Sequence, residues 1–187
     1  ILMNFPLSLI SNSQWIDSFS IKSKAITLMR VLTLAKDDMP SEPFASFYGF
    51  NPFYMDNFLQ SLLQLFIDVE KNVIKHSVRT ECCRLLSYIF RKKRFAAQNL
   101  GGFKRLNKEN PDLLLKFGML YVGDLSFLFD ESLQRMGQIK NFQSNQTGQN
   151  NYEAFLDGQS SLMVNLETVF SYLFVFQKYY EMGSWLT

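Results

Sequence analysis

A chain of 187 residues is long enough for one sizeable core or a short stack of helical repeats, and its formal net charge is only +2. That balance lacks the strong, clustered basic bias of a nucleic-acid binder. Phenylalanine is plentiful at 19 residues against 9 glycines and 5 prolines, a mixture that suits packed helices better than a turn-rich β-sandwich.

The helical period dominates from the start. Ile21, Ala25, Leu28, Leu32 and Ala35 recur on one helix face. Asp37 to Pro43 holds two prolines among polar residues and reads as a loop. Asn51-Pro52 then gives a helix start, a capping side chain followed by a first-turn proline. Behind it Met55, Leu59, Leu62, Phe66 and Val69 predict a core-facing stripe. A further helix carries Ile74, Val78, Cys82, Leu85 and Ile89 and runs into the basic stretch Arg91 to Arg94. Gly101-Gly102 is expected to break the short segment after it.

Asn110-Pro111-Asp112 is the strongest start signal, with a cap, a proline and an acid at the positive helix end. It predicts one long helix from about Pro111 to about Gln143, with a stripe of Leu114, Phe117, Tyr121, Leu125, Leu128, Met136 and Ile139. The first half is also apolar at Leu113, Leu115, Met119, Leu120 and Val122, so burial on several sides is expected there. Ser144 to Asn151 is polar and reads as a loop. The last helix shows Leu162, Leu166, Val169, Leu173, Phe176 and Tyr180.

No alternating strand pattern and no strict repeat interrupts this order, and Phe44 to Phe53 is not expected to form a strand. The fold expected is all-α: antiparallel helices stacked as a segment of an armadillo-like or HEAT-like solenoid, with residues 1–187 part of a single helical-repeat core. Starting at Ile1, the chain reads as a piece of a longer polypeptide. No stretch has the roughly 18 uninterrupted apolar residues of a membrane span, so no membrane partner is expected.

Candidates for chemistry are few. His76 is the one histidine, and it reads as solvent-facing near a helix start. Cys82 and Cys83 are adjacent and lack zinc-ligand spacing, and Cys82 falls on the apolar stripe as a small core residue. The pairs Asp68 with Glu70 and Asp130 with Glu131 read as carboxylates that cap helices or bridge to neighbouring bases. No phosphate-binding glycine loop is present. The reading is therefore no catalytic residue, no metal and no cofactor. Arg91, Lys92, Lys93 and Arg94, with Lys104 and Arg105, form the one candidate partner-binding patch, set against the ordinary preference of bases for a helix C-terminus.

Three segments resemble the core region of the ubiquitin conjugation factor E4 family, the chain-elongation factors related to ubiquitin fusion degradation protein 2. The first is Asn57 to Glu70, closest at Leu65 to Glu70. The second is Val78 to Phe90, where Arg79, Leu85, Leu86 and Tyr88 fit the family's arginine, paired leucines and aromatic, and Phe90 replaces a tryptophan. The third is Asn110 to Gln143, closest at Asp124 to Leu133 and then Ile139-Lys140, with Gly123 standing in place of an asparagine. Weaker likeness at Ile1 to Leu34 and Leu162 to Phe174 extends it over nearly the whole chain, with a shorter connection after Glu70.

The resemblance implies a scaffold segment of a U-box ubiquitin ligase acting in ubiquitin-dependent degradation in the cytoplasm and nucleus. The U-box would lie outside this chain and recruit the ubiquitin-conjugating enzyme, making the parent protein a transferase and this segment non-catalytic. Implied partners are the valosin-containing AAA ATPase, ubiquitylated substrates and proteasome shuttle factors. The alternative that periodicity alone allows is a helical-repeat adaptor or transport scaffold unrelated to ubiquitin.

Overall fold

The computed structural model describes residues 4–11, 18–33, 52–71, 75–91, 93–144 and 149–183. Among these residues there are seven α-helices and no strand. They are α1 (Asn4–Ser11), α2 (Phe19–Thr33), α3 (Pro52–Asp68), α4 (Lys75–Arg91), α5 (Lys93–Glu109), α6 (Pro111–Ser144) and α7 (Gln149–Gly183), with a 3₁₀ turn (Val69–Lys71) after α3. The expected loop at Asp37 to Pro43, the Asn51 cap and most of Phe44 to Phe53 lie outside the described residues.

The long helix forms where the cap signal places it. The Leu113 amide donates to the Asn110 side-chain oxygen at 3.2 Å, while the Asn110 amide closes the last turn of α5 on the Leu106 carbonyl at 2.7 Å. One asparagine thus ends α5 and begins α6. The 34 residues of α6 run unbroken through Gly123 and span about 50 Å at ~1.5 Å per residue.

Helix pairs stack in layers. The pairs α1/α2, α3/α4 and α6/α7 each pack within themselves. Between layers, α1 packs on α3 and α3 on α6, while α2 packs on α4 and α4 on α7. Two parallel rows of three helices result, with α5 wedged against α3, α4, α6 and α7. Side-chain register fixes the directions. Gly118 lies against Tyr179 and Tyr121 against Tyr172, so α6 and α7 are antiparallel. Arg79 meets Asp124 and Cys83 meets Tyr121, so α4 is antiparallel to α6 as well.

The core follows the predicted stripes most closely in the middle layer. Leu59, Leu62, Phe66 and Val69 of α3 and its turn are buried, as are Val78, Cys82, Leu85 and Ile89 of α4. The outer helices depart from expectation. In α2 the buried face is Lys22, Ala25, Ile26 and Met29, and Ile21 and Leu28 are exposed. In α7 the buried set is Thr168, Val169, Ser171, Tyr172 and Val175, and Leu173 and Tyr180 face outward. Burial of α6 on several sides occurs only in part: Leu113 is buried and Leu120 packs partly buried against the core, but Leu115, Met119 and Val122 are exposed, and Leu128 is only partly buried. The reason is common to all three. A layered stack buries the side facing the neighbouring layer, and an apolar stripe on an outermost helix finds no helix there among the described residues.

The expected break at Gly101-Gly102 is also absent, since α5 runs from Lys93 to Glu109. A Cβ on Gly102 would lie 3.2 Å from Cδ2 of Leu59, so this glycine permits close approach of α5 to α3. Gly101 has nothing within 4 Å of the same position. Gly101→Ala should therefore stabilise the fold by about 0.5–1 kcal/mol through helix propensity alone. Gly102→Ala should lose most of that gain or reverse it, because Leu59 must move. Paired urea melts check the difference, and equal gains at both positions would contradict the close-approach account.

Candidate functional site

The most concentrated chemistry in the described structure is a buried ionic junction where α3, α4, α6 and α7 meet. Its centre is Arg79, 1% exposed, one residue beyond Val78 on the core face of α4. The guanidinium donates through Nε to the Phe66 carbonyl at 2.9 Å and through Nη1 to Oδ1 of Asp124 at 2.9 Å. Nη2 donates to Glu70. The group also lies over the Phe66 ring, 4.7 Å from its centroid. Five donors in a rigid fork make arginine suited to such a junction, and a lysine would fill only part of it.

From Asp124 the network continues into the last layer. The Tyr172 hydroxyl donates to Oδ2 of Asp124 at 3.5 Å, and the Tyr121 hydroxyl donates to the Tyr172 carbonyl at 2.8 Å. The Cys83 sulfur lies 3.1 Å from the Tyr121 hydroxyl. The rings of Tyr121 and Tyr172 stack at 4.7 Å, and Phe66, Phe117 and Tyr121 pack edge and face around them.

Burial sets the protonation states. It pushes the thiols of Cys82 and Cys83 and the phenols of Tyr121 and Tyr172 above their ordinary values, so none supplies an anion near neutral pH. Asp124 is raised because burial outweighs the charge and hydrogen bond of Arg79. Glu70 goes the other way. Burial works upward there too, but the hydrogen bond and charge of Arg79, with Lys75 beside it, hold the carboxyl below 4.5. A junction of this kind fixes helices in register and presents no nucleophile to solvent.

A second polar cluster lies beside it. Glu81 accepts from Arg30 Nε at 2.8 Å and from Arg84 at 3.4 Å, and Arg84 donates to the Thr168 hydroxyl at 3.3 Å. These contacts join α2, α4 and α7. A cleft of about 280 Å³ opens between α4, α6 and α7, with Arg84 and Asn165 on its wall. The buried nitrogens Arg84 Nε and Asn165 Nδ2 have no acceptor, so water or another polar group would complete them.

The sequence candidates fall as follows. His76 is exposed and stacks on Phe127 at 4.7 Å. Asp68 accepts from Gln64, Glu70 from Arg79 and Lys75, and Glu131 from Arg135, so three of the four paired acids bridge to neighbours. Among the described residues no three His, Cys, Asp or Glu side chains cluster as metal ligands, and no described helix is long and apolar enough to cross a membrane. In the basic patch, Arg91 ends α4 with its guanidinium 5.1 Å from the Phe174 ring centroid. Lys92 and the side chains of Lys93 and Arg94 lie outside the described residues. On α5, Lys104 is exposed and Arg105 lies 3.9 Å from Glu109. Helical geometry sets the backbone positions 94 and 105 about 16 Å apart along α5.

The junction connects the family-like segments. Glu70 and Phe66 belong to the first, Arg79 to the second and Asp124 to the third. A family model described as the ubiquitin elongating factor core matches residues 1–183. The chain belongs to the ubiquitin elongating factor core family. No match to it is found among curated proteins or among solved structures. For this elongating factor core, sequence reasoning had placed Arg79 and Asp124 inside family-like motifs without giving either a role. The available signal was a charge embedded in a core stripe: Arg79 follows Val78 and precedes Cys82 on the same buried face.

The opposite shifts make acid behaviour a test of the junction. Glu70 has a lowered native pKa, so its contribution is full above 4.5 and is lost as pH falls through the native value. Glu70→Gln should be less stable than the native chain at pH 7, and the gap should close below pH 4.5 in urea melts run as a pH series. A gap that stays constant with pH would contradict the pairing.

Proposed function

We propose that this core segment is a rigid arm of a ubiquitin-chain elongation ligase, holding ubiquitylated substrate and partner proteins near a catalytic module carried elsewhere in the parent polypeptide. The observation that carries the reading is the family match over residues 1–183. It is supported by the character of the described site, where buried thiols and internally paired acids offer no group for bond making. The arm acts through proximity: fixing two reactants on one rigid body raises their effective concentration.

In this reading a U-box in the parent chain recruits the ubiquitin-conjugating enzyme. The valosin-containing AAA ATPase and proteasome shuttle factors are further partners, and the work is done in cytoplasm and nucleus on substrates bound for degradation. The basic residues Arg91, Lys92, Lys93, Arg94, Lys104 and Arg105 would meet an acidic surface on one of these partners.

The test is a gel assay of ubiquitin chain length with activating and conjugating enzymes and a pre-ubiquitylated substrate. The segment alone should extend no chains. A parent polypeptide carrying both this core and a U-box should extend them, and deleting residues 110–143 from it should impair extension while the U-box stays folded. Robust synthesis by the segment alone would overturn the proposal.

A further inference from the structure

The cleft of about 280 Å³ between α4, α6 and α7 opens beside the Arg79 junction. Among the described residues, two buried side-chain nitrogens lack an acceptor, Nε of Arg84 and Nδ2 of Asn165. Both side chains stand on the wall of this one cleft. They are also neighbours. Arg84 donates through Nη2 to the Thr168 hydroxyl at 3.3 Å, and Asn165 precedes Thr168 by three residues on the same face of α7. The Thr168 hydroxyl is itself engaged, since it donates to the Val164 carbonyl at 2.9 Å. A buried donor left unmet lowers stability, so two of them in one cleft mark the place where an acceptor belongs.

The other charges on the wall choose the ligand class. Glu81, Asp124 and Glu131 also line the cleft. An anionic ligand would meet these three carboxylates. A cationic ligand would find each of them already holding an arginine: Glu81 takes Arg30 and Arg84, Asp124 takes Arg79, and Glu131 takes Arg135. A neutral group with one acceptor and one donor fits both sides. Its oxygen would take the free donors of α4 and α7. Its N–H would go to α6, where both bonds from Arg135 fall on Oε1 of Glu131 and Oε2 has spare lone pairs. A trans secondary amide carries its C=O and N–H on opposite edges, and a peptide main chain is a row of them. Phe127, Leu128 and Val164 give the cleft an apolar portion for a small side chain. We propose that this cleft binds the main chain of an extended peptide, with a peptide carbonyl accepting from Arg84 and Asn165 and a peptide N–H donating to Glu131.

The inference does not depend on the ligase reading. The test is a nuclear magnetic resonance titration of the 187-residue chain with N-acetyl-Ala-Ala-N-methylamide, an uncharged main-chain probe. The Arg84 Nε–H and the Asn165 side-chain amide signals report the two donors directly. Both should shift together and saturate, with a dissociation constant on the order of 1 mM for a probe of this size. Asn165→Leu removes one donor and should weaken binding by roughly 5–10-fold. Ser77→Trp places bulk on the wall of the cleft and should block binding with the helical circular-dichroism signal unchanged, since Ser77 is exposed. Acetate and methylammonium should bind more weakly than the peptide. Absence of a saturable shift at the two donors overturns the proposal, because water alone then completes them. An affinity unchanged by Asn165→Leu and by Ser77→Trp also overturns it. Tighter binding of either ion than of the peptide overturns the choice of a neutral amide and with it the proposal.

Discussion

Three distant stretches of sequence converge on the guanidinium of Arg79. It holds the end of α3 through the Phe66 carbonyl and Glu70, and it holds the middle of α6 through Asp124. A charge with 1% exposure is tolerated only when its donors are taken up, and here one carbonyl and two carboxylates take up Nε, Nη1 and Nη2. Replacing the whole set by apolar residues of similar shape could leave stability little changed. Removing one member leaves another buried and unpaired, which is far worse. The junction therefore works mainly as a register device: α3, α4 and α6 fit together in the one alignment that brings a carbonyl, two carboxylates and a guanidinium to the same point.

That alignment has consequences for the layers around it. With α4 set against α6, Cys83 reaches the Tyr121 hydroxyl and Tyr121 reaches the Tyr172 backbone, so the last helix is indexed by the same network. Glu81 and Arg84 extend the ionic contacts to α2 and α7. The middle layer is thus joined to both neighbours by polar contacts as well as apolar packing. The proposed arm would need such stiffness, because a flexible connection between bound substrate and catalytic module would dilute the proximity it provides.

The middle layer was legible in the sequence because both its helices are covered on two sides. Leu59, Leu62 and Phe66, and Val78, Cys82, Leu85 and Ile89, repeat at helical spacing and are buried as that spacing implies. The long helix was legible from Asn110-Pro111, whose cap is made as expected. The outer faces were not. Leu115, Met119 and Leu173 are as apolar as any core residue, and periodicity cannot say whether a neighbour exists to cover them. Gly101-Gly102 was misread because a glycine that permits helix contact resembles one that ends a helix. Arg79 and Asp124 were visible as members of family-like motifs. Their pairing was not, because 45 residues separate them and no local rule connects them.

A double-mutant cycle on Arg79 and Asp124 tests the central claim most directly. Unfolding free energies would be measured by urea melts for Arg79→Met, Asp124→Asn and the double variant. Arg79→Met alone should cost about 3–5 kcal/mol, because it leaves Asp124 buried beside an apolar side chain. The double variant should be more stable than the sum of the single losses predicts, with a coupling of at least ~1 kcal/mol. A single loss below ~0.5 kcal/mol, or strict additivity of the two, would contradict the view that this junction holds the helices in register.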